Sequence, residues 1–349
     1  MRAAVLYGKE DVRVEEVAAR PLGPGEVRVN IEAALTCGTD LKVFKRGYHA
    51  KMIVPPAVFG HELAGTVAEV RGERGEGRSH WHVGDRVVVA NSAPCGQCFH
   101  CGQRQENLCD DLLFLNGAYA ESIVVPARLV EKNMVRLKPA TSFRDAALTE
   151  PLACVVQGLE DSELRAGQQV LVIGAGPIGL MFVALARHLG CHVTVAGRGE
   201  ARLKAARKLG ANNVIDVAGK HDLVKAVNAH RKDGQLFDLV IEAVGKPEVW
   251  EAATWLVRKG GLVNFFGGCP SGTTVALDTA LLHYSSVTLK ASFHHTPRTI
   301  RRALEFIESG VIHAGDFVDG ESPLSELPAL LQTMAAGNRA VKTFIRVRE

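Results

Sequence analysis

The first 150 residues consist of short apolar runs separated by turn residues, which is the pattern of an all-β domain. Each run is four to ten residues long, and Gly, Pro or Asp interrupts the chain around it. Loops that connect such strands are the usual carriers of binding and catalytic side chains. The predicted strands are Ala3–Tyr7, Val12–Val17, Glu26–Leu35, Ala64–Val70, Asp85–Ala90 and Ser122–Val125.

After about Pro151 the pattern changes to alternating strands and helices. Gln169–Ile173 (QVLVI) is continuously apolar, as is typical of a strand that helices cover on both faces, and the following LMFVALARHLG has helical periodicity. This alternation predicts a parallel, doubly wound sheet. The other predicted elements are strands His192–Ala196, Asn213–Asp216, Phe237–Val244, Gly261–Phe266 and Val287–Phe293, and helices Glu200–Leu209, Lys220–Lys232 and Pro247–Val257.

The C-terminal part resumes a different pattern, with a predicted helix over Ile300–Ser309 and a final strand over Val341–Val347. This tail is too short to form a domain of its own, so we expect it to pack against the N-terminal part. The chain is therefore predicted to contain one domain over residues 1–153, a second over 154–295, and a returning segment over 296–349.

Composition narrows the class of protein. A chain of 349 residues suits two domains, and 47% apolar with 23% charged residues is ordinary for a globular protein. A net charge of +3 disfavours binding to nucleic acid or to an anionic membrane. The first residues lack the apolar run of a signal peptide, and no 18-residue apolar stretch occurs, so we expect a cytoplasmic protein with reduced thiols. The Gly- and charge-rich stretch Arg71–His82 is the predicted tip of a hairpin.

The hexapeptide GAGPIG matches the dinucleotide-binding pattern G-x-G-x-x-G, and it follows a buried strand and opens a helix. Gly174 permits the tight turn, Gly176 lets the backbone approach a pyrophosphate, and Gly179 lets the helix pack closely on the strand. With Pro177 and Ile178 they form the start of a helix whose N-terminus stabilises phosphate charge. The alternative is a glycine-rich turn that binds nothing.

The end of the second strand bears on which cofactor binds. An acid about 20 residues after the glycines would hold the ribose of NAD, but here Gly197 stands in that place and Arg198 follows. Glycine leaves room for a 2′-phosphate, which the guanidinium of Arg198 can bind through two parallel hydrogen bonds, with Arg202 one turn further on. We therefore expect NADP(H) in preference to NAD(H). The alternative is that Arg198 stacks on adenine and leaves the choice open.

Two groups of candidate metal ligands lie in the N-terminal part. Residues 95–109 have cysteines at the spacing C-x₂-C-x₂-C-x₇-C, which leaves open a disulfide knot, an iron–sulfur site, a nucleic-acid finger and a zinc clip. The first is disfavoured where thiols stay reduced. Elsewhere, Cys37, His61 and Glu150 offer a thiolate, an imidazole and a carboxylate, which together suit Zn²⁺ with one open position. Separately, a lone buried Cys or His is usually only packed.

Together these segments resemble one family, the zinc-dependent medium-chain dehydrogenases/reductases of the alcohol and polyol (sorbitol) dehydrogenase type. The resemblance covers essentially the whole chain. It rests on these motifs, in this order: Cys37–Asp40 (CGTD), Gly60–Gly65 (GHELAG), the four-cysteine segment, Gly117–Glu121 (GAYAE), Glu150–Leu152 (EPL) and the glycine-rich turn.

The resemblance implies an α/β protein: a GroES-like β-barrel catalytic domain split by a Rossmann domain, with the active site in the cleft. It implies that Cys37, His61 and Glu150 are the ligands of a catalytic zinc. Glu62 would be a nearby acid that can join or leave the metal. Asp40 would orient the metal-binding imidazole, as ligating histidines usually require.

The family also makes the four-cysteine segment a structural zinc site, so that each chain would hold two zinc ions. Four thiolates leave no open position for chemistry. The x₇ spacing fits neither common iron–sulfur pattern, and a finger would need a recognition helix and a basic surface. The implied ligands are Cys95, Cys98, Cys101 and Cys109.

The implied activity is hydride transfer between a nicotinamide cofactor and a secondary alcohol, polyol or sugar alcohol. The zinc would polarise the substrate oxygen, and the Thr39 hydroxyl would shuttle its proton. Many relatives continue this relay with a His where this chain has Lys42, so the relay beyond Thr39 is open. Lys342 falls where relatives place a cation against the cofactor diphosphate.

The expected partners are a small alcohol or ketone substrate and further copies of the chain, with no nucleic acid and no membrane. Thr273–Leu277 (TTVAL) is predicted as an edge strand that pairs across a two-fold axis, giving a dimer or tetramer. The alternatives are a zinc-independent quinone or enone reductase of the same superfamily and a non-catalytic cofactor-binding protein. Candidate substrate-pocket residues are Phe44, Tyr48, His49, Asn91 and Phe114.

Overall fold

A computed structural model describes residues 1–49, 52–71, 80–230, 236–337 and 340–348. The chain forms two compact units, one made of residues 1–153 and 295–349 and the other of residues 154–294. Residues 72–79 of the predicted hairpin tip lie outside the described residues.

The strands and helices are numbered in chain order. The strands are β1 (Arg2–Gly8), β2 (Asp11–Glu16), β3 (Val27–Leu35), β4 (Ala57–Val58), β5 (Glu62–Val70), β6 (Arg86–Val89), β7 (Ser92–Ala93), β8 (Leu113–Phe114), β9 (Ser122–Val125), β10 (Met134–Arg136), β11 (Gln169–Ile173), β12 (His192–Gly197), β13 (Asn213–Asp216), β14 (Phe237–Glu242), β15 (Val257–Phe265), β16 (Thr288–Ala291), β17 (Val318–Pro323) and β18 (Lys342–Arg346). The helices are α1 (Gly38–Arg46), α2 (Phe99–Gly102), α3 (Ala127–Lys132), α4 (Phe143–Ala146), α5 (Thr149–Asp161), α6 (Pro177–His188), α7 (Glu200–Lys208), α8 (Leu223–Asn228), α9 (Pro247–Thr254), α10 (Thr279–Ser285), α11 (Pro297–Glu308) and α12 (Leu327–Ala335). Short 3₁₀ turns occupy Glu106–Leu108, Ala314–Asp316 and Leu324–Glu326.

The first unit is built around a seven-stranded sheet in the order β10-β6-β5-β3-β18-β17, with β9 also paired to β3. Val27, Val29 and Ile31 alternate along β3 and are fully buried, as the period-2 pattern predicts. A smaller sheet, β2-β1-β4, packs its apolar residues into the same core. Strand β18 pairs with the end of β3, where Phe344 lies opposite Leu35. The C-terminal strand therefore lies beside the segment that leads into Cys37.

The second unit is a six-stranded sheet in the order β13-β12-β11-β14-β15-β16, and every neighbouring pair is parallel. Its inner strands are buried on both faces, which explains the continuous apolar runs, and the predicted doubly wound sheet is confirmed. The strand order reverses at β11, so the carboxyl ends of β11 and β14 flank the switch point, where such folds bind ligands.

Two sequence predictions differ from the structure. Thr273–Leu277 is not a strand: both the amide and the hydroxyl of Thr273 bond to Pro270 O, which makes a turn ahead of α10. The expected helix over Lys220–Lys232 is shorter, because Asp222 caps α8 at its start through Lys225 N. None of the helices in the described residues is long and apolar enough to cross a membrane.

Candidate functional site

Cys37 lies at the N-cap of α1. Its thiol accepts a hydrogen bond from Thr39 N (3.4 Å), and the Asp40 carboxylate accepts one from Cys37 N (3.1 Å). This reciprocal cap fixes both side chains at once. The sulfur of Cys37 therefore lies at the start of the helix, beside the backbone amide of Thr39.

The His61 imidazole is held in one orientation by Asp40. His61 Nδ1 lies 2.9 Å from Asp40 Oδ1, and Tyr119 donates its hydroxyl to Asp40 Oδ2 at 2.5 Å. All three side chains are buried. Donation from Nδ1 leaves Nε2 with a lone pair for a metal, which is the usual arrangement around a ligating His. Burial disfavours a charged imidazole, but the charges of Asp40 and Cys37 outweigh it and raise the pKa of His61.

Glu62 joins this group. The ligand atoms of Cys37, His61 and Glu62 all lie within 4.8 Å of one another. The Glu62 carboxylate is fully buried, and burial is the main cause that raises its pKa, against the opposing charge of Lys342. It accepts hydrogen bonds from Lys342 Nζ at both oxygens, with 2.6 Å to Oε1.

The structure thereby gives Lys342 a different role from the diphosphate contact that the resemblance implied. Its side chain is 2% exposed, and its third N–H donor bonds to Thr36 O at 3.0 Å. The three hydrogens of the ammonium are thus directed at Glu62 and Thr36. Glu62 can bind a metal only if this ion pair is loosened or shared.

Glu150 lies in the first turn of α5, buried beside the cluster but not within the 4.8 Å grouping. Burial raises the pKa of its carboxyl to about 7, while the charge of His61 acts in the opposite direction. His295 Nε2 lies 3.8 Å from Glu150 Oε1 and 2.8 Å from Asn91 Oδ1. Sequence reasoning missed His295; its signal was the pair His294-His295 just before Thr296, the N-cap of α11.

These donors fit a zinc ion. A thiolate, an oriented imidazole and buried carboxylates form a borderline-soft set, and a buried cluster of acids is stabilised by a cation. Thr39, the second residue of α1, is half-buried beside Cys37, whereas Lys42 lies on the exposed side of the helix.

The four-cysteine segment closes on itself around α2. Cys95 Sγ lies 4.0 Å from Cys101 Sγ, and Cys98 Sγ lies 3.8 Å from Cys109 Sγ. A disulfide needs about 2 Å, whereas the edge of a tetrahedron with Zn–S bonds of about 2.3 Å is about 3.8 Å. All four ligand atoms lie within 4.8 Å of one another, so the spacing fits a closed tetrathiolate zinc site.

Backbone amides tune these thiols. The N–H groups of Gln97 and Cys98 donate to Cys95 Sγ and lower the pKa of that thiol to about 6. Burial raises the pKa of Cys109 to about 12. A bound cation would hold all four as thiolates, and a buried cysteine would gain most from it.

The glycine-rich turn is built as its sequence predicts. Gly176 is the N-cap of α6, Pro177 is its first residue, and a Cβ added to Gly179 would come 1.8 Å from Gly174 O. No other residue fits this approach of helix to strand. The N–H groups at the start of α6 are therefore available for an anion such as a pyrophosphate.

Gly197, the last residue of β12, has a packing role that the sequence did not reveal. A Cβ added there would lie 2.5 Å from Ala175 Cβ, inside the glycine-rich turn. An acid at this position therefore cannot fit unless the turn moves. The exposed Arg198 follows, and the half-buried Arg202 lies in the first turn of α7.

Of the suggested substrate-pocket residues, Phe44 is 1% exposed and belongs to the core of the first unit, and Asn91 is buried against His295. Tyr48 is 52% exposed, and His49 and Phe114 are half-buried. Two of the five side chains are thus buried in the packing of the first unit, and the other three are at least partly exposed.

Comparisons with known proteins agree with this architecture. Residues 23–135 match the family model of the alcohol dehydrogenase GroES-like domain, and residues 177–309 match that of the zinc-binding dehydrogenases. The chain is 30% identical to a sorbitol dehydrogenase from Bombyx mori, over 99% of this chain and 98% of that one. It is 33% identical to an L-threonine 3-dehydrogenase from Pyrococcus furiosus, over 90% and 88%.

Among solved structures, the chain resembles a zinc-binding dehydrogenase from Sinorhizobium meliloti 1021 with NADP bound. The two share 28% identity with a TM-score of 0.88, over 99% of this chain and 98% of that one. The similarity therefore extends over both units of the fold and is not confined to one domain.

Proposed function

This chain belongs to the zinc-dependent medium-chain dehydrogenases, a family of oxidoreductases, and we propose that it transfers a hydride between NADP(H) and a secondary hydroxyl of a polyol or related alcohol. The observation that carries the proposal is the grouping of the ligand atoms of the half-buried Cys37 and the buried His61 and Glu62. The buried Glu150 lies near enough for its carboxyl to feel the charges of His61 and Glu62. Such a set suits a zinc ion that keeps a position for substrate.

We propose that Cys37, His61 and Glu150 hold the catalytic zinc, with Glu62 as an acid that exchanges with its lysine partner. When bound, this ion would act as a Lewis acid toward the substrate oxygen. The four cysteines Cys95, Cys98, Cys101 and Cys109 would hold a second ion that only stabilises the fold.

The chain's own residues then have defined tasks. Asp40 keeps His61 Nδ1 protonated and Nε2 directed at the metal. The hydroxyl of Thr39, beside Cys37, would accept the proton of the substrate hydroxyl and pass it on. Because Lys42 is exposed, we propose that water, and not the lysine, carries that proton to solvent.

NADP(H) is proposed over NAD(H) because Gly197 stands where an acid would bind the ribose hydroxyls of NAD, and Arg198 follows it. Gly197, Arg198 and Arg202 would form the 2′-phosphate site. The similar Sinorhizobium protein, solved with NADP bound, supports this choice. The names of the similar sorbitol and L-threonine dehydrogenases support a substrate with a secondary hydroxyl.

The test is turnover of a panel of polyols, secondary alcohols and L-threonine with both cofactors, alongside zinc analysis. The expected result is two zinc ions per chain, lower KM for NADP⁺ and loss of turnover in Cys37→Ser with the fold retained. A zinc-free protein that reduces quinones or enones would support the rival activity and contradict the proposal. Binding of NADPH without turnover of any alcohol would favour a non-catalytic protein.

We further propose a cytoplasmic homodimer or homotetramer. The edge strand β16 is largely exposed, and next to it in sequence Tyr284 and Phe293 are 79% and 55% exposed. Uncovered edge strands and aromatic side chains are commonly covered by a second copy. Light scattering would give the mass of the protein in solution. A monomer at micromolar concentration would contradict the proposed dimer or tetramer.

A further inference from the structure

We propose that His295 is a positioning residue for Glu150: together with Asn91 it holds that carboxylate at the catalytic metal. This inference rests on the proposed function, because it assigns Glu150 to the zinc. It concerns a hydrogen-bonded pair that the family motifs do not include. The three residues come from separate parts of the chain within the first unit.

The geometry around one nitrogen atom carries the argument. His295 Nε2 lies 2.8 Å from Asn91 Oδ1 and 3.8 Å from Glu150 Oε1, so two oxygen atoms face it. A lone pair on Nε2 would point at both oxygens, so this nitrogen carries a hydrogen. The N–H donates to Asn91 and turns its positive end toward the carboxylate.

The contact between His295 and Glu150 is buried, which strengthens its effect on the carboxylate. The exposed fractions of His295, Asn91 and Glu150 are 2%, 3% and 6%. Water has no room to replace the imidazole, and a polar group that loses its partner in such a place is destabilised strongly. The dipole of the imidazole N–H therefore favours one position of the Glu150 carboxylate.

Both His295 and its partner Asn91 are fixed by backbone structure. Thr296, the next residue after His295, caps α11: its hydroxyl accepts from Thr299 N at 3.2 Å, and its own N–H donates to Thr299 Oγ1 at 2.9 Å. Asn91 follows β6, and its carbonyl accepts Leu115 N at 2.7 Å. The start of α11 therefore fixes the position of the His295 imidazole, and the end of β6 fixes the side-chain amide of Asn91 that it contacts.

The test compares His295→Leu, His295→Gln and Asn91→Leu in the full-length protein. Asn133→Leu is the matched control: Asn133 is 1% exposed and bonds to Ser92 O at 2.6 Å, but it takes no part in the Glu150 contact. Two readouts are used besides turnover. One is the rate at which a chelator removes the catalytic zinc, and the other is the visible spectrum of the cobalt-substituted protein.

We expect His295→Leu to release the catalytic zinc about 10- to 100-fold faster than the wild type, which is the usual effect of removing a group that supports a ligand. The cobalt bands should shift, and kcat should fall more than KM changes. His295→Gln, which keeps an N–H donor, should recover most of the wild-type behaviour. Asn91→Leu should accelerate release, and Asn133→Leu should not.

Unchanged zinc release and cobalt spectrum in folded His295→Leu would overturn the inference. If that variant does not fold, Asn91→Leu decides: release no faster than in Asn133→Leu would overturn it equally. The proposed function fails separately, since its failure would appear in the wild type as an absent second zinc or absent alcohol oxidation.

Discussion

Lys342 and Glu62, 280 positions apart in the sequence, form a buried ion pair in which the ammonium donates to both carboxylate oxygens. The lysine begins β18 and the glutamate begins β5, and both strands pair with β3. The C-terminal strand therefore delivers a cation directly to an acid of the candidate zinc site. This placement explains why a short returning segment belongs to the first unit.

Replacing Lys342 by Met should destabilise the first unit by about 3–5 kcal/mol, because a buried charge loses its partner. Urea unfolding of the apo and zinc-loaded protein measures this. The double variant Lys342→Met/Glu62→Gln should recover most of the loss. As a control, Lys45→Met removes an exposed lysine bonded to Ala335 O and should change stability by less than about 1 kcal/mol. A loss for Lys342→Met no larger than for Lys45→Met would contradict the buried-pair account.

Placing an acid at Gly197 should not by itself convert the protein to NAD. The added Cβ would meet Ala175 Cβ at 2.5 Å, so Gly197→Asp should weaken binding of both cofactors. Ala175→Gly/Gly197→Asp removes the obstructing methyl and should then favour NADH. Arg198→Ala should raise KM for NADPH about tenfold or more and leave that for NADH nearly unchanged. Efficient NADH use by the single variant Gly197→Asp would show that the packing argument is wrong.

Replacing one cysteine of the tetrathiolate site should remove one zinc ion per chain. Cys98→Ser is expected to retain the catalytic ion but to unfold at lower temperature, because the metal contributes binding energy to folding. Cys269→Ser, a half-buried cysteine of the second unit, is the matched control and should keep both ions. Zinc analysis with thermal unfolding measures both. A full zinc complement in Cys98→Ser would exclude a metal role for this segment.

Glu242 should make the second unit less stable as pH rises. Burial raises the pKa of its carboxyl to about 7, although Gly245 N and Val244 N donate to it. The folded state therefore binds the proton more tightly than the unfolded state, whose carboxyl titrates near about 4.3. Stability from this group is complete below about pH 4 and is lost progressively as pH rises through about 7.

The measurement is the free energy of unfolding at pH 5 and pH 8 for the wild type and Glu242→Gln. The amide keeps the acceptor oxygen without a charge, so the variant should lose less stability over this interval, by about 1–3 kcal/mol. Asp316→Asn, an acid of the first unit, serves as the control substitution. Parallel pH dependence of Glu242→Gln and the wild type would contradict the raised pKa.

Local signals predicted much of this molecule. The apolar run of β11, the glycines after it and the alternation that follows specify the parallel sheet, because these depend on neighbouring residues. The spacing of the four cysteines likewise predicted that their sulfur atoms lie together, because all four fall within fifteen consecutive residues. The motif around Cys37 identified candidate ligands but not their local structure, in which Cys37 caps α1.

Contacts between distant segments were not predictable from one sequence. The residues around Lys342 contain no signal that β18 pairs with β3. A lysine is also usually exposed, so its burial against Glu62 could be seen only in the structure. Likewise, the meeting of His295 with Asn91 joins positions 204 residues apart. The edge strand expected at Thr273–Leu277 failed because local turn bonds at Thr273 outweighed a short apolar alternation.

The central claim is that alcohol oxidation requires a zinc ion at Cys37, His61 and Glu150. Stepwise chelation, with zinc per chain and NADP⁺-dependent turnover measured on the same samples, tests it most directly. The account predicts that turnover falls to zero as the content falls from two ions to one, while the fold persists, and that added zinc restores both. Undiminished turnover in samples holding a single ion at the four cysteines would contradict it.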